Sequence, residues 1–103
     1  MAISDVQLRN NYYQVFDSNG KKISELYKYN DMDLLGIGSD FYVISRGNYF
    51  ITYDENSKKI AETYKYNNMF FKNAVGSSFN IQRDSYLYSY DKFCKKISER
   101  YNK

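Results

Sequence analysis

Residues 48–67 read NYFITYDENSKKIAETYKYN, and the rest of the chain is built from versions of this stretch. Moved back by 37 positions it falls on NYYQVFDSNGKKISELYKYN, residues 11–30; moved forward by 37 it falls on SYLYSYDKFCKKISERYNK, residues 85–103. In phase through the three copies stand Tyr12/Tyr49/Tyr86, Asp17/Asp54/Asp91, Lys22/Lys59/Lys96, Ile23/Ile60/Ile97, Glu25/Glu62/Glu99 and Tyr27/Tyr64/Tyr101, with Arg9/Arg46/Arg83 just upstream. A fixed period of this size marks a repeat architecture. One supersecondary unit cannot bury its own apolar face and stacks on copies of itself.

Each copy reads as a run of short strands. Val6 opens a candidate over residues 6–9, then Asn10-Asn11, then a second over 12–16; copy two places Gly47-Asn48, a tight hairpin signal, between 41–46 and 49–53. A polar turn led by Asp17, Asp54 or Asp91 follows, since an aspartate can accept from backbone amides two residues on. Paired lysines then open strands over 23–29, 60–66 and 97–101, and glycine-bearing strands over 33–38 and 70–76 join the copies. No segment keeps helical apolar spacing, so no helix is expected. Gly38 and Phe41 match Gly76 and Phe79 at a spacing of 38, which reads as a one-residue slip between copies.

The fold expected is all-β: three antiparallel repeats of about 37 residues, near 1–32, 33–69 and 70–103, in one domain. The first copy starts one strand late, giving about eleven strands where three full units need twelve. On the middle strand of copy two, Tyr49, Ile51 and Tyr53 point one way and Phe50 and Thr52 the other, so both faces carry bulk and the sheet belongs between two others.

This grammar resembles a β-propeller blade, with a glycine-bearing inner strand, two middle strands and a charged outer one. It is also similar to small bacterial three-copy proteins with D-E-N-G-K-K-I type turns. Propellers close with four blades or more. The resemblance therefore implies an open arc that self-associates as a homo-oligomer, two chains making a ring or covering each other's edges. A closed pseudo-threefold β-prism or trefoil is the alternative for the same chain length.

Composition narrows the function. Histidine is absent, which excludes a histidine base or ligand, and triplicated carboxylates suit a scaffold better than an active site that is made once. The chain reads as no enzyme, with no cofactor and no metal; Asp17 and Asp54 open plain turns, not calcium loops. Thirteen Tyr and seven Phe supply buriable surface, and 15 basic against 12 acidic residues, interspersed, argue against a nucleic-acid footprint. The absence of a long apolar run and of a leader pattern argues against a membrane span and for the cytoplasm, as does the single cysteine, Cys94, read as an exposed turn residue.

The candidate binding residues are Arg9, Arg46, Arg83, Tyr27, Tyr64, Tyr101, Glu25, Glu62 and Glu99. In phase they suit three equivalent pockets, as in a multivalent lectin-like binder of carbohydrate, because rings stack on sugar faces while guanidinium and carboxylate groups bond hydroxyls. The structural reading of the same residues has Arg and Glu forming cross-strand ion pairs and Tyr filling the space between units. The function favoured is recognition of a protein partner, in the manner of an inhibitor or immunity-type protein.

Overall fold

A computed structural model describes residues 2–101 of the 103-residue chain. Among them are eleven strands and no helix: β1 Asp5–Arg9, β2 Tyr12–Phe16, β3 Lys22–Tyr27, β4 Met32–Ile37, β5 Phe41–Arg46, β6 Tyr49–Asp54, β7 Lys59–Tyr64, β8 Met69–Val75, β9 Ser78–Arg83, β10 Tyr86–Asp91 and β11 Lys96–Tyr101. They form three antiparallel meanders, ordered β1-β2-β3, β4-β5-β6-β7 and β8-β9-β10-β11, here called blades 1, 2 and 3.

Local chemistry sets the turns. The Asp17 carboxylate accepts from the amides of Asn19 and Lys21 at 2.9 and 3.0 Å, and Asp54 and Asp91 repeat the pattern. Each turn then needs one left-handed residue, supplied by Gly20, Ser57 and Cys94 at φ of 77°, 62° and 61°. The hairpin between β1 and β2 puts Asn10 and Asn11 at φ of 51° and 68°, the two positive values of a type I′ turn.

The blades stack face to face in chain order, which suits the extents of 40 × 27 × 20 Å. One apolar cluster, including Val6, Tyr13, Val15, Met32, Tyr42 and Ile44, fills the joint between blades 1 and 2. A second, including Phe41, Val43, Phe50, Met69, Phe79 and Ile81, fills that between blades 2 and 3. Blade 2 is the sandwiched sheet that its two-sided middle strand requires, with Phe50, Ile51, Thr52 and Tyr53 all buried. Neither cluster joins blade 1 to blade 3, so the arrangement is an open arc and not the closed prism or trefoil considered above.

The joints also share a polar clip made by different residues. Ser24 of blade 1 donates to the Glu55 carbonyl at 2.7 Å and bonds Ser57, whose hydroxyl also receives the Tyr42 phenol at 2.8 Å. Thr52 of blade 2 donates to the Lys92 carbonyl, the same place one repeat on, at 2.6 Å. Cys94 sits against this clip and the second cluster, half-buried and not exposed as its turn position suggests. Burial pushes its thiol up to about 11.

Register corrects the expected slip. Tyr42 pairs with Tyr53 and Phe79 with Tyr90; Leu34 and Gly36 flank a bulge in β4 as Phe71 and Asn73 do in β8. Equivalent positions therefore stay 37 apart throughout, and the match of Phe41 to Phe79 is coincidental: they face each other across a joint with ring centroids 6.3 Å apart.

Much of the two ends of the stack is polar, although Ile97, the equivalent of the Ile60 that packs in the second joint, is exposed on blade 3. Where blade 2 shows Gly36, Val43 and Thr52 to blade 3, blade 3 shows Asn73, Asn80 and Ser89, which bond one another at 2.7 and 2.5 Å. Where blade 2 shows Tyr42, Ile44 and Ile51 to blade 1, blade 1 shows Asp5, Gln7 and Gln14, with the Gln7 amide on Asp5 at 2.7 Å. Such faces terminate stacked repeats.

Candidate functional site

The hairpin ends of the three blades share one rim, and the register decides what it carries. Arg9, Arg46 and Arg83 lie opposite Tyr12, Tyr49 and Tyr86, which in turn lie opposite Tyr27, Tyr64 and Tyr101. Directly opposed side chains touch. The three tyrosine pairs meet edge to face, with centroids 5.3, 5.6 and 5.8 Å apart and planes at 81°, 88° and 84°. Tyr29 and Tyr66, one alternation beyond Tyr27 and Tyr64, extend two of these pairs at 4.8 Å.

The blades are linked along this rim by arginine. The Arg46 guanidinium of blade 2 lies 4.6 Å over the Tyr29 ring of blade 1, and Arg83 of blade 3 lies 4.6 Å over Tyr66 of blade 2. Groups of rings on each blade and one guanidinium at each joint thus make up a ladder along the rim. Each such contact contributes about 0.5–1 kcal/mol when solvent-exposed. The rings are not buried by it: Tyr29 is 51% exposed, Tyr64 42% and Tyr66 49%.

On blade 2 the ladder borders an open groove of about 590 Å³, lined by Asp31 of the β3–β4 connection and by Arg46, Tyr49, Glu62 and Tyr64, with Ile51 and Tyr53 beneath. The Asp31 carboxylate lies 3.3 Å from Arg46 Nε. Glu62 accepts from Lys59 at 2.5 Å, and this bond holds the lysine above its usual range. Burial raises the Tyr53 phenol, so the floor of the groove is neutral through ordinary pH.

Of the residues marked in the sequence, Arg46, Glu62 and Tyr64 meet in this groove. Arg83, Glu99 and Tyr101 occupy the equivalent places in blade 3, but Asn68 stands where Asp31 would and donates to Asp84 at 2.9 Å. Arg9, Glu25 and Tyr27 hold the same register in blade 1, where no preceding blade supplies a ring, so Arg9 stacks on none among the described residues. The three marked sets do not make three equal pockets: Arg9 lines a different groove, of about 380 Å³, with Asp5, Gln7, Phe16 and Asp17 and without Glu25 or Tyr27. The expected cross-strand Arg–Glu pairs are also replaced: Glu25, Glu62 and Glu99 accept from Lys22, Lys59 and Lys96 along their own strands.

Tyr29, Tyr66 and Asp31 are the functional candidates that sequence reasoning missed. Their signal was the Tyr-Lys-Tyr-Asn of residues 27–30 and 64–67, whose alternation puts both rings on one side of the strand.

A scan of protein-family models and a search of curated proteins find no match to this chain. Among solved structures, the crystal structure of BamB from Moraxella catarrhalis matches with a TM-score of 0.57 and 17% sequence identity, covering 95% of this chain and 34% of that one. This chain therefore spans about a third of the length of that β-propeller, and at such identity the likeness concerns fold alone. No helix among the described residues is long and apolar enough to cross a membrane. The fold is all-β and propeller-like, three blades in an open arc with an aromatic and guanidinium ladder along one rim.

Proposed function

We propose that this chain is a non-catalytic protein-binding module, acting in the cytoplasm, and that the tyrosine–arginine rim is its contact surface. The observation that carries this reading is the ladder's half-exposure: rings fixed by neighbours on two sides still present edges and hydroxyls to solvent. Tyrosine and arginine dominate binding energy at protein interfaces, and rings held in place by their neighbours lose little freedom on docking. The carboxylates nearby are engaged by Lys59, Lys96 and Arg46, which leaves few groups to bond sugar hydroxyls and little free positive charge for nucleic acid. An inhibitor or immunity-type role uses the same physics, a rigid surface covering a partner's own.

The test is affinity capture from the native cell, followed by titration of the purified captured protein against the wild-type chain and the double variant Arg46→Ala, Arg83→Ala. Both arginines are half-exposed, so the variant is expected to keep its melting midpoint within a few degrees. Affinity is expected to fall about 30-fold or more, as for the loss of an interface centre. Undiminished binding overturns the assignment of the rim. Binding to an oligosaccharide series without protein capture replaces it with a carbohydrate reading.

A further inference from the structure

We infer that the inner edge of β1 is a seat for one more strand, and that an extended, glycine-bearing segment of a partner polypeptide can take it. The repeat itself shows what belongs there. In blades 2 and 3 the strand equivalent to β1 is bonded on both sides, β5 between β4 and β6, and β9 between β8 and β10; among the described residues β1 has β2 alone. The ladder turns the peptide groups of Asp5, Gln7 and Arg9 toward β2 and those of Val6 and Leu8 toward the open side. On that side the Val6 amide donates to the carboxylate of its own neighbour Asp5 at 2.9 Å, whereas its equivalent Val43 pairs with Gly36 of β4. Leu8 is 52% exposed, while the equivalent Ser45 is buried.

The seat continues an interface already present. At the inner side of the stack β8 packs on β4, where a Cβ added to Gly36 would meet the Phe71 ring at 2.8 Å and the Ala74 methyl at 3.2 Å. One repeat earlier, the residues in the places of Phe71 and Ala74 are Leu34 and Ile37, half-buried against the first cluster and facing the open seat. A strand filling it must therefore place a glycine against Leu34 and Ile37. It must also set a large apolar side chain opposite Arg9, as Met32 and Met69 are set opposite Arg46 and Arg83. Strand addition of this kind draws affinity from main-chain bonds and specificity from alternate side chains.

The probe is a synthetic peptide with the sequence of residues 30–39, which contains β4, added to the full chain while amide hydrogen exchange is followed residue by residue. The Val6 and Leu8 amides are expected to slow at least tenfold at millimolar peptide, and a peptide carrying Gly36→Val is expected to give no protection. Equal protection by both peptides, or none at either amide, overturns the inference. Protection without peptide that grows with protein concentration overturns it too, since the occupant is then a second copy. The Arg46→Ala, Arg83→Ala chain should take the peptide like wild type, so this seat and the rim stand or fall separately.

Discussion

Phe79→Ala is expected to cost about 3–5 kcal/mol of stability, the range for emptying a fully buried phenylalanine site. A chain of this length has only about 5–15 kcal/mol in all. Phe79 is 0% exposed and sits at the centre of the second joint, 5.4 Å from Tyr90, 6.2 Å from Phe71 and 6.3 Å from Phe41, ring to ring. Blade 2 cannot close over the vacancy, because its opposite face is held by the first cluster. The damage should be uneven, since each blade touches only its neighbour in the stack. In hydrogen exchange, the amides of β8 to β11 should lose most of their protection while those of β2 and β5 keep more. Uniform loss across the three blades would show that the joints are not separable.

Alkaline pH is expected to unfold the chain through its buried phenols. Tyrosine ionises near pH 10 when unfolded. Burial raises Tyr42 above that value; its hydrogen bond to Ser57 opposes the shift, and Tyr53 and Asp54 add to it. Burial raises Tyr13, Tyr53 and Tyr90 as well. Below about pH 10 the phenols are neutral in both states and contribute no pH dependence. Above it the unfolded chain releases protons that the folded chain retains, so stability falls with rising pH, by about 1.4 kcal/mol per unit for each fully protected phenol. Urea midpoints should be level up to about pH 8, fall gently above it as the unfolded Cys94 thiol ionises while burial holds the folded one up to about 11, and drop steeply by about pH 11 as the phenols join. Tyr42→Phe should flatten that drop, because Ser57 keeps its bond to Ser24 and no phenol remains to ionise there. An unchanged slope in the variant would contradict the buried position of Tyr42.

Most of the fold was legible because its signals are local and repeated three times. The aspartate turns, the hairpin between Asn10 and Asn11 and the two-sided middle strand each follow from residue type and spacing, and each stands where those rules put it. The slip of 38 failed for a physical reason: two phenylalanines on opposite sides of a joint make a better match by eye than Tyr42 and Phe79, which share a place in the register but not a residue type. Cys94 was misread because its turn position says nothing of the neighbouring blade that covers it.

The rim was legible only in part. Arg46, Glu62 and Tyr64 were marked by repetition and do converge, but repetition cannot say that an arginine's partner lies in the preceding blade. Arg9 has no such neighbour, and the groove it lines holds neither Glu25 nor Tyr27. The polar residues at the ends were hidden for the same reason. Asn80 and Ser89 look like ordinary surface residues until their equivalents Val43 and Thr52 are seen under the next blade.

The stacking of blades in chain order is tested most directly by through-space proton contacts in solution. The ring protons of Phe41 and Phe79 should show mutual contacts, and the Tyr29 ring should contact the Arg46 side chain, with centroid separations of 6.3 and 4.6 Å. Contacts joining Val15 to Phe79, with none between Tyr29 and Arg46, would mean that the three sheets close on one another, and the open arc with its ladder would be wrong.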